Sequence, residues 1–180
     1  MLELILPPER YWDEHSNQFI AFQGGTYHLE HSLKAIFEWE GVFHKPFLTY
    51  NIESANKTEA ELIEYIRCMS LTPIDSLTAT IIYSTKSNDI ASYLKESQTA
   101  TTIKKQAGQT SSEYLSAELL YYYIGQAQIP ICCEMWHISR LFAILGIAGE
   151  KSKPPKKMGK AATMRSNAAI NRARRAGRPG

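Results

Sequence analysis

Residues 151–180 contain no acidic side chain, cysteine is scarce, and no apolar run is long. Each absence excludes something. The three cysteines are Cys68, Cys132 and Cys133. An odd count with two neighbours implies no disulfide framework, because adjacent residues lack the Cα separation a bridge needs. That usage fits a reducing compartment. The longest apolar stretch, with glycine admitted, is residues 141–149, whereas a bilayer-spanning helix needs about 20 residues. The start, Met1-Leu2-Glu3-Leu4-Ile5-Leu6-Pro7-Pro8, carries an acid within a short apolar run, which is unlike a secretory leader. No membrane partner is expected, and the expected location is the cytoplasm. A phosphate-binding glycine loop, a dinucleotide fingerprint, an HExxH and a nucleophile elbow are also missing, so the best-marked catalytic classes have no foothold.

What is present is charge, unevenly placed. Residues 1–150 hold all 18 acids and 10 of the 20 basic residues, a net of −8; residues 151–180 hold the other 10 basic residues, a net of +10. The whole-chain value of +2 conceals this split. Such asymmetry marks an interaction tail. The expected organisation is an acidic globular body over 1–150 and a basic arm over 151–180. A hydrophobic fraction of 44% with ten tyrosines, six phenylalanines and three tryptophans supplies the body with a core.

Periodicity sketches the elements. Residues 2–6 read as a short strand ending at the proline pair. Residues 19–22 and 26–29, joined by Gln23-Gly24-Gly25, read as a β-hairpin with the glycines at its turn. Leu33, Ile36 and Phe37 fall at helical spacing, giving a helix over 31–41 closed by Gly41. Thr58 and Glu61 form a capping box before Leu62, Ile66 and Met69, a helix ending before Pro73. The β-branched residues 78–83 suggest a strand, 88–96 a short helix, and the polar stretch 97–112 a loop. A second capping-box pattern, Thr110 and Glu113, precedes an apolar helix over 114–127 that looks central to the core. A last body helix over 132–147 places Met135, Ile138, Phe142 and Leu145 on one stripe and ends at Gly146 and Gly149. In the arm, 153–157 reads as a stiff extended connector, and 160–176 favours helix, stopped by Gly177. Alone, so short a helix offsets its nucleation cost only in part. The fold class expected is α+β: a predominantly helical single domain with a small N-terminal β-hairpin or meander and a basic, partly helical arm.

Chemistry-bearing residues give little purchase for catalysis. Cys133 and His137, four apart, share a face of the expected helix, and His28 and His31 are three apart. A structural zinc site wants four ligands, usually with a tight CxxC pair, and none occurs. The cysteines read as small buried apolar groups, and His137 as lying near the surface. No third group orients a Cys–His dyad. The carboxylates Glu38 and Glu40, and Glu59, Glu61 and Glu64, read as a solvated face and helix-start charges. No enzyme activity, cofactor or metal is expected. Tyr121-Tyr122-Tyr123 reads as core with one hydroxyl reaching solvent, or as a partner-facing patch. Lys156, Lys157, Arg165, Arg172, Arg174 and Arg175 are the arm's candidate contacts, either with nucleic-acid phosphates or with an acidic protein surface.

Several strings carry a family likeness together. They are Leu29-Glu30-His31-Ser32-Leu33 running into Trp39-Glu40, then Phe43-His44-Lys45-Pro46-Phe47-Leu48; Ile66-Arg67-Cys68-Met69; Thr99-Ala100-Thr101-Thr102; and Trp136-His137-Ile138-Ser139-Arg140-Leu141. Lys153-Pro154-Pro155-Lys156-Lys157-Met158 and Asn167-Ala168-Ala169-Ile170-Asn171-Arg172-Ala173-Arg174-Arg175 complete the set. Over nearly its whole length the chain resembles the tail assembly chaperones of long-tailed, siphovirus-like bacteriophages. The resemblance implies a non-enzymatic helper in the infected host cytoplasm. It would bind the tape measure protein, keep it soluble and assist tail-tube assembly around it, with the tail-tube protein as a second partner. Trp39, Phe43, His44, Pro46, Phe47, Trp136 and His137 form the candidate partner-binding cluster, with core packing as the competing role. The alternatives are a nucleic-acid-binding phage protein acting through the arm, and a virion protein of the tail or head–tail junction.

Overall fold

A computed structural model describes residues 1–13, 17–48, 57–101, 115–152 and 159–177. They divide into two compact units, Met1–Gly149 and Glu150–Gly180. Four strands come first: β1 (Leu2–Leu6), β2 (Glu9–Asp13), β3 (Gln18–Phe22) and β4 (Gly25–Leu29). Helices follow: α1 (Leu33–Phe43), α2 (Glu59–Met69), α3 (Ser76–Lys95), α4 (Ala117–Gln126), a 3₁₀ turn (Ile131–Met135), α5 (Ile138–Ser152) and α6 (Lys160–Ala176). The α+β, mostly helical class holds. The Thr110–Glu113 pattern, the connector 153–157 and most of the stretch 97–112 lie outside the described residues.

The strands correct one expectation. β3 and β4 do not pair with each other across Gln23-Gly24-Gly25. β1 pairs antiparallel with β4, Leu6 facing Gly25, and β2 with β3, Glu9 facing Phe22. The two pairings share one continuous register, so Pro7 and Pro8 stand opposite Gly24 and Gln23. The strands are halves of a single two-stranded ribbon, interrupted where two successive prolines have no N–H to give the ladder. The expected turn is a kink in one strand, and the chain reverses instead between Asp13 and Gln18.

Gly24 makes that kink feasible. Its φ is +70°, and a Cβ there would sit 2.6–2.7 Å from backbone atoms of Leu6, Pro7 and Pro8. Gly24→Ala is therefore expected to lower stability by about 1–3 kcal/mol through combined strain and backbone displacement. Equilibrium urea unfolding checks this, and an unchanged midpoint would contradict it.

The helices obey local rules where those rules are strong. Ser32 caps α1 by accepting from the Ala35 N–H, and Leu33, Ile36 and Trp39 form its fully buried stripe. The helix passes through Gly41 and ends at His44, which takes the left-handed cap conformation at φ 53°, ψ 35°. The Thr58–Glu61 capping box is present at the start of α2. Residues 78–83 are helical, not a strand, and merge with 88–96 into α3. Asp75 caps this helix through the Thr78 N–H. Thr80 and Thr85 bond back to the carbonyls of Ser76 and Ile81, so β-branched hydroxyls are satisfied within the helix.

α4 starts three residues later than expected, capped by Ser116. It is one-sided: Ala117, Leu120 and Ile124 are buried, whereas Tyr122 and Tyr123 are exposed. Tyr121 is half-buried and donates to Glu134 Oε2 at 2.8 Å. The expected helix over 132–147 is a 3₁₀ turn followed by α5, which runs through Gly146 and Gly149. Its buried residues are Ile138 and Leu141; Met135 and Phe142 are exposed. Core packing runs from α1 to α2 and α4, from α2 to α3, and from α3 to β1.

Candidate functional site

The predicted partner-binding residues divide sharply. Trp39, Phe47 and His137 are buried, Phe43 and Pro46 are half-buried, and His44 and Trp136 are exposed. Trp39 meets Phe43 at 4.8 Å and Phe47 at 5.0 Å between ring centroids. Phe47 stacks on Tyr65 at 4.0 Å, and Tyr65 packs edge-on to His31. His31 packs edge-on to His137 at 5.3 Å, which in turn meets Tyr93 at 5.1 Å. Trp39, Phe43, Phe47 and His137 thus belong to one aromatic seam through the body. His44 is the cap of α1 and Trp136 the residue closing the 3₁₀ turn.

Backbone crossings explain why the seam forms there. The Glu30 N–H donates to the Met69 carbonyl, the Leu71 N–H to the His28 carbonyl and the Ile138 N–H to the His31 carbonyl. Strand β4 therefore continues between the end of α2 and the start of α5, carrying His31 and Ser32 into the centre. Cys133 and His137 share no helix face, and His137 lies deep rather than near the surface. The cysteines also differ from expectation: Cys133 is buried and Cys68 half-buried, but Cys132 is exposed.

Electrostatics in the seam are those of packing. Burial pulls His31 down to about 3, with His137 adding a smaller push in the same direction. The Tyr65 hydroxyl lies 2.5 Å from His31 Nδ1, and burial raises that phenol well above its ordinary value. Burial lowers His137 too, and holds the Cys68 thiol at about 12. Neutral His31 and His137 imidazoles enclosed by aromatic rings give no base open to substrate, and the raised Cys68 thiol is not a thiolate at neutral pH. Among the described residues no group of three His, Cys, Asp or Glu side chains could hold a metal ion.

Sequence reading missed the polar residues that close this seam. Glu40, expected on a solvated face, is only 7% exposed. Its Oε1 accepts from the Phe47 N–H and its Oε2 from the Ala117 N–H, both at 2.7 Å. Glu61 is likewise enclosed: it pairs with Lys45, and its backbone carbonyl accepts from Trp39 Nε1 at 2.8 Å. Lys57 reaches the Phe47 carbonyl at 3.0 Å while sitting 4.2 Å over the Phe47 ring. Only the capping-box role of Glu61 carried a local signal; Glu40 carried none.

Open surface lies elsewhere. A groove of about 480 Å³ runs between α1 and α2, with Ala35 and Met69 at its floor and Val42, Leu71 and Ile74 along its walls. Val42 is 55% exposed and Leu71 46%. Two ion pairs border it, Lys34–Glu38 and Arg67–Glu64, so it offers apolar contact between charges of both signs. At the far end of the ribbon Trp12 and Phe19 form an edge-on pair at 4.9 Å, exposed by 51% and 68%. Both surfaces can accept an apolar side chain.

The arm's unit contains helix α6. Arg165, Arg172, Arg174 and Arg175 are exposed on it, whereas Lys156 and Lys157 lie outside the described residues. Among the described residues no helix is long and apolar enough to cross a membrane. Compared with known proteins, the chain matches no family model, no curated protein and no solved structure.

Proposed function

We propose that this chain is a non-catalytic tail assembly chaperone of a long-tailed bacteriophage, acting in the host cytoplasm on the helical tape measure protein and on tail-tube assembly around it. The observation carrying this reading is the groove between α1 and α2. Its apolar floor and mixed-charge borders suit an amphipathic helix laid along it, with apolar anchors one turn apart and either sign of charge at the rim. The exposed Trp12–Phe19 pair adds a second apolar contact of the kind that dominates binding energy. The enclosed His31 and His137 and the family-like strings support the same reading.

Co-expression with the phage's own tape measure protein tests it. The intact chain should raise the soluble tape measure protein several-fold and co-purify with it. Val42→Asp combined with Leu71→Asp places two carboxylates in the groove at exposed positions. That variant should abolish most of the gain while its unfolding midpoint stays near the parent's. No gain in solubility and no co-purification with the intact chain would sink the reading. The chain's presence in purified virions would assign it a structural role instead.

A further inference from the structure

We infer that α6 is a DNA-binding helix that lies in the major groove of a B-form duplex, a function separate from the groove on the body. At about 100° per residue, the described side chains of α6 sort into two arcs. One arc, about 180° wide, holds every described charge: Arg174 at one border, Arg165 and Arg172 at the other, and Arg175 midway. Asn167, Asn171, Met164 and Ala168 lie between the borders. The opposite arc, with Ser166, Ala169, Ile170, Ala173 and Ala176, carries no charge. Side chains of the charged arc are exposed, and among the described residues none of its arginines joins an ion pair. There is no acid between Lys151 and Gly180.

Placement of the cations on both borders selects the occupant. A flat acidic protein surface meets one face of a helix and needs its cations in one stripe. A helix seated in a groove is flanked by two phosphate backbones and needs cations on both sides, with side chains that can bond base edges between them. Arg165 and Arg172 are seven residues apart, about 10.5 Å along the axis, so one flank reaches two separate phosphates. Arg175 and the exposed Met164 stand nearest the midline with Asn171 beside them, so the floor presents a guanidinium that can fork onto a guanine edge and an amide that can bond an adenine edge. The B-form major groove, about 12 Å wide, admits an α-helix, whereas the A-form groove is too narrow for side-chain readout. Arginine forks give each phosphate contact two parallel hydrogen bonds.

The test uses the full chain and a fluorescently labelled 20-base-pair DNA duplex, read by anisotropy from 50 to 200 mM salt. Three flank arginines on phosphates give a slope of log K against log salt of about −2.7, hence an affinity loss of about 40-fold across that range. Arg165→Gln/Arg172→Gln removes one flank and Arg174→Gln/Arg175→Gln removes the other border and the midline. The first pair should reduce the slope by about 1.8 and the second by about 0.9, with the body's unfolding midpoint unchanged because these side chains are exposed. Single-stranded DNA, an RNA duplex and polyglutamate should each bind at least tenfold more weakly than the DNA duplex. Failure to bind the duplex at 50 mM salt, or binding indifferent to all four substitutions, overturns the proposal. Equal or tighter binding to RNA or the single strand overturns the groove assignment, and equal or tighter binding to polyglutamate makes α6 a protein-docking arm.

Discussion

Glu40→Ala is expected to cost the body about 3–5 kcal/mol, since it leaves two enclosed N–H groups without acceptors, at about 1–3 kcal/mol each, and adds a cavity. The carboxylate is a latch between segments distant in sequence. One oxygen holds the Phe47 N–H just beyond α1, and the other holds the Ala117 N–H, 77 residues away, at the first turn of α4. The second contact also places negative charge at a helix N-terminus, where the dipole favours it. Burial pushes this carboxyl above its ordinary value, and the two N–H donors pull in the opposite direction. Glu40→Gln keeps the volume but turns an NH₂ toward one of the two donors, and should lose roughly half as much. Urea unfolding of both variants measures this, and the ordering wild type, Gln, Ala is the point to check. If alanine costs under about 1 kcal/mol, the latch is not a latch.

Acid should weaken the body well before its carboxylates titrate. His31 is 6% exposed, and its imidazole is held at about 3 against an ordinary 6.5. A base whose folded pKa lies below its unfolded value binds fewer protons folded than unfolded, so stability falls as pH falls through the window from 6.5 to 3. At about 1.4 kcal/mol per unit, His31 alone removes about 2 kcal/mol by pH 5 and about 5 kcal/mol below pH 3.

The groups around it decide whether this is compensated. Tyr65 on α2 offers only a hydroxyl, and Phe47 only a ring. On the α5 side His137 is also lowered, and Arg140 adds to that. Glu30 opposes that lowering at His137, while also accepting from the Tyr93 hydroxyl and pairing with the Met1 ammonium. Glu40 acts with the opposite sign, because its pKa is raised. Unfolding free energies at pH 7.5 and 5 read the slope, and His31→Leu should flatten it by more than half whatever its offset. A wild-type slope of zero between those values would rule out a neutral buried imidazole.

How much of this was legible in the sequence depended on distance along the chain. The α2 capping box spans Thr58 to Glu61, so both halves of the motif stand within one helical turn and could be read directly. The buried stripe of α1 was equally local. α3 was misread because Thr78, Thr80, Ile81 and Ile82 favour strands by propensity, while the hydroxyl bonds and the Asp75 cap that make them helical appear only once the helix exists. The ribbon was misread because Gly24-Gly25 resembles a hairpin turn locally, whereas its partner in the kink, Pro7-Pro8, lies some sixteen residues earlier. Nothing near Glu40 announces that its acceptors will be claimed by Phe47 and Ala117. Trp39, Phe43 and Phe47 were recognisable as a cluster, since they lie within nine residues, but their joining to His31, Tyr65 and Tyr93 is a product of the crossing backbones. Charge needed no folding to be read, and the exposed arginines of α6 stand where composition put them.

The common register of the two ribbon halves has a consequence for how this end of the chain can change over time. Adding one residue to each strand at facing positions lengthens the ribbon and leaves every partner matched. Losing one residue from a single strand between Leu2 and Asp13 slides everything beyond it by one place, and in a pleated strand one place is the opposite face. Tyr11, now turned toward Phe22, would trade sides with Trp12, and the apolar pair at the tip would be dismantled from a distance. Length variation in this region should therefore arrive in matched pairs or be confined to the reversal between Asp13 and Gln18.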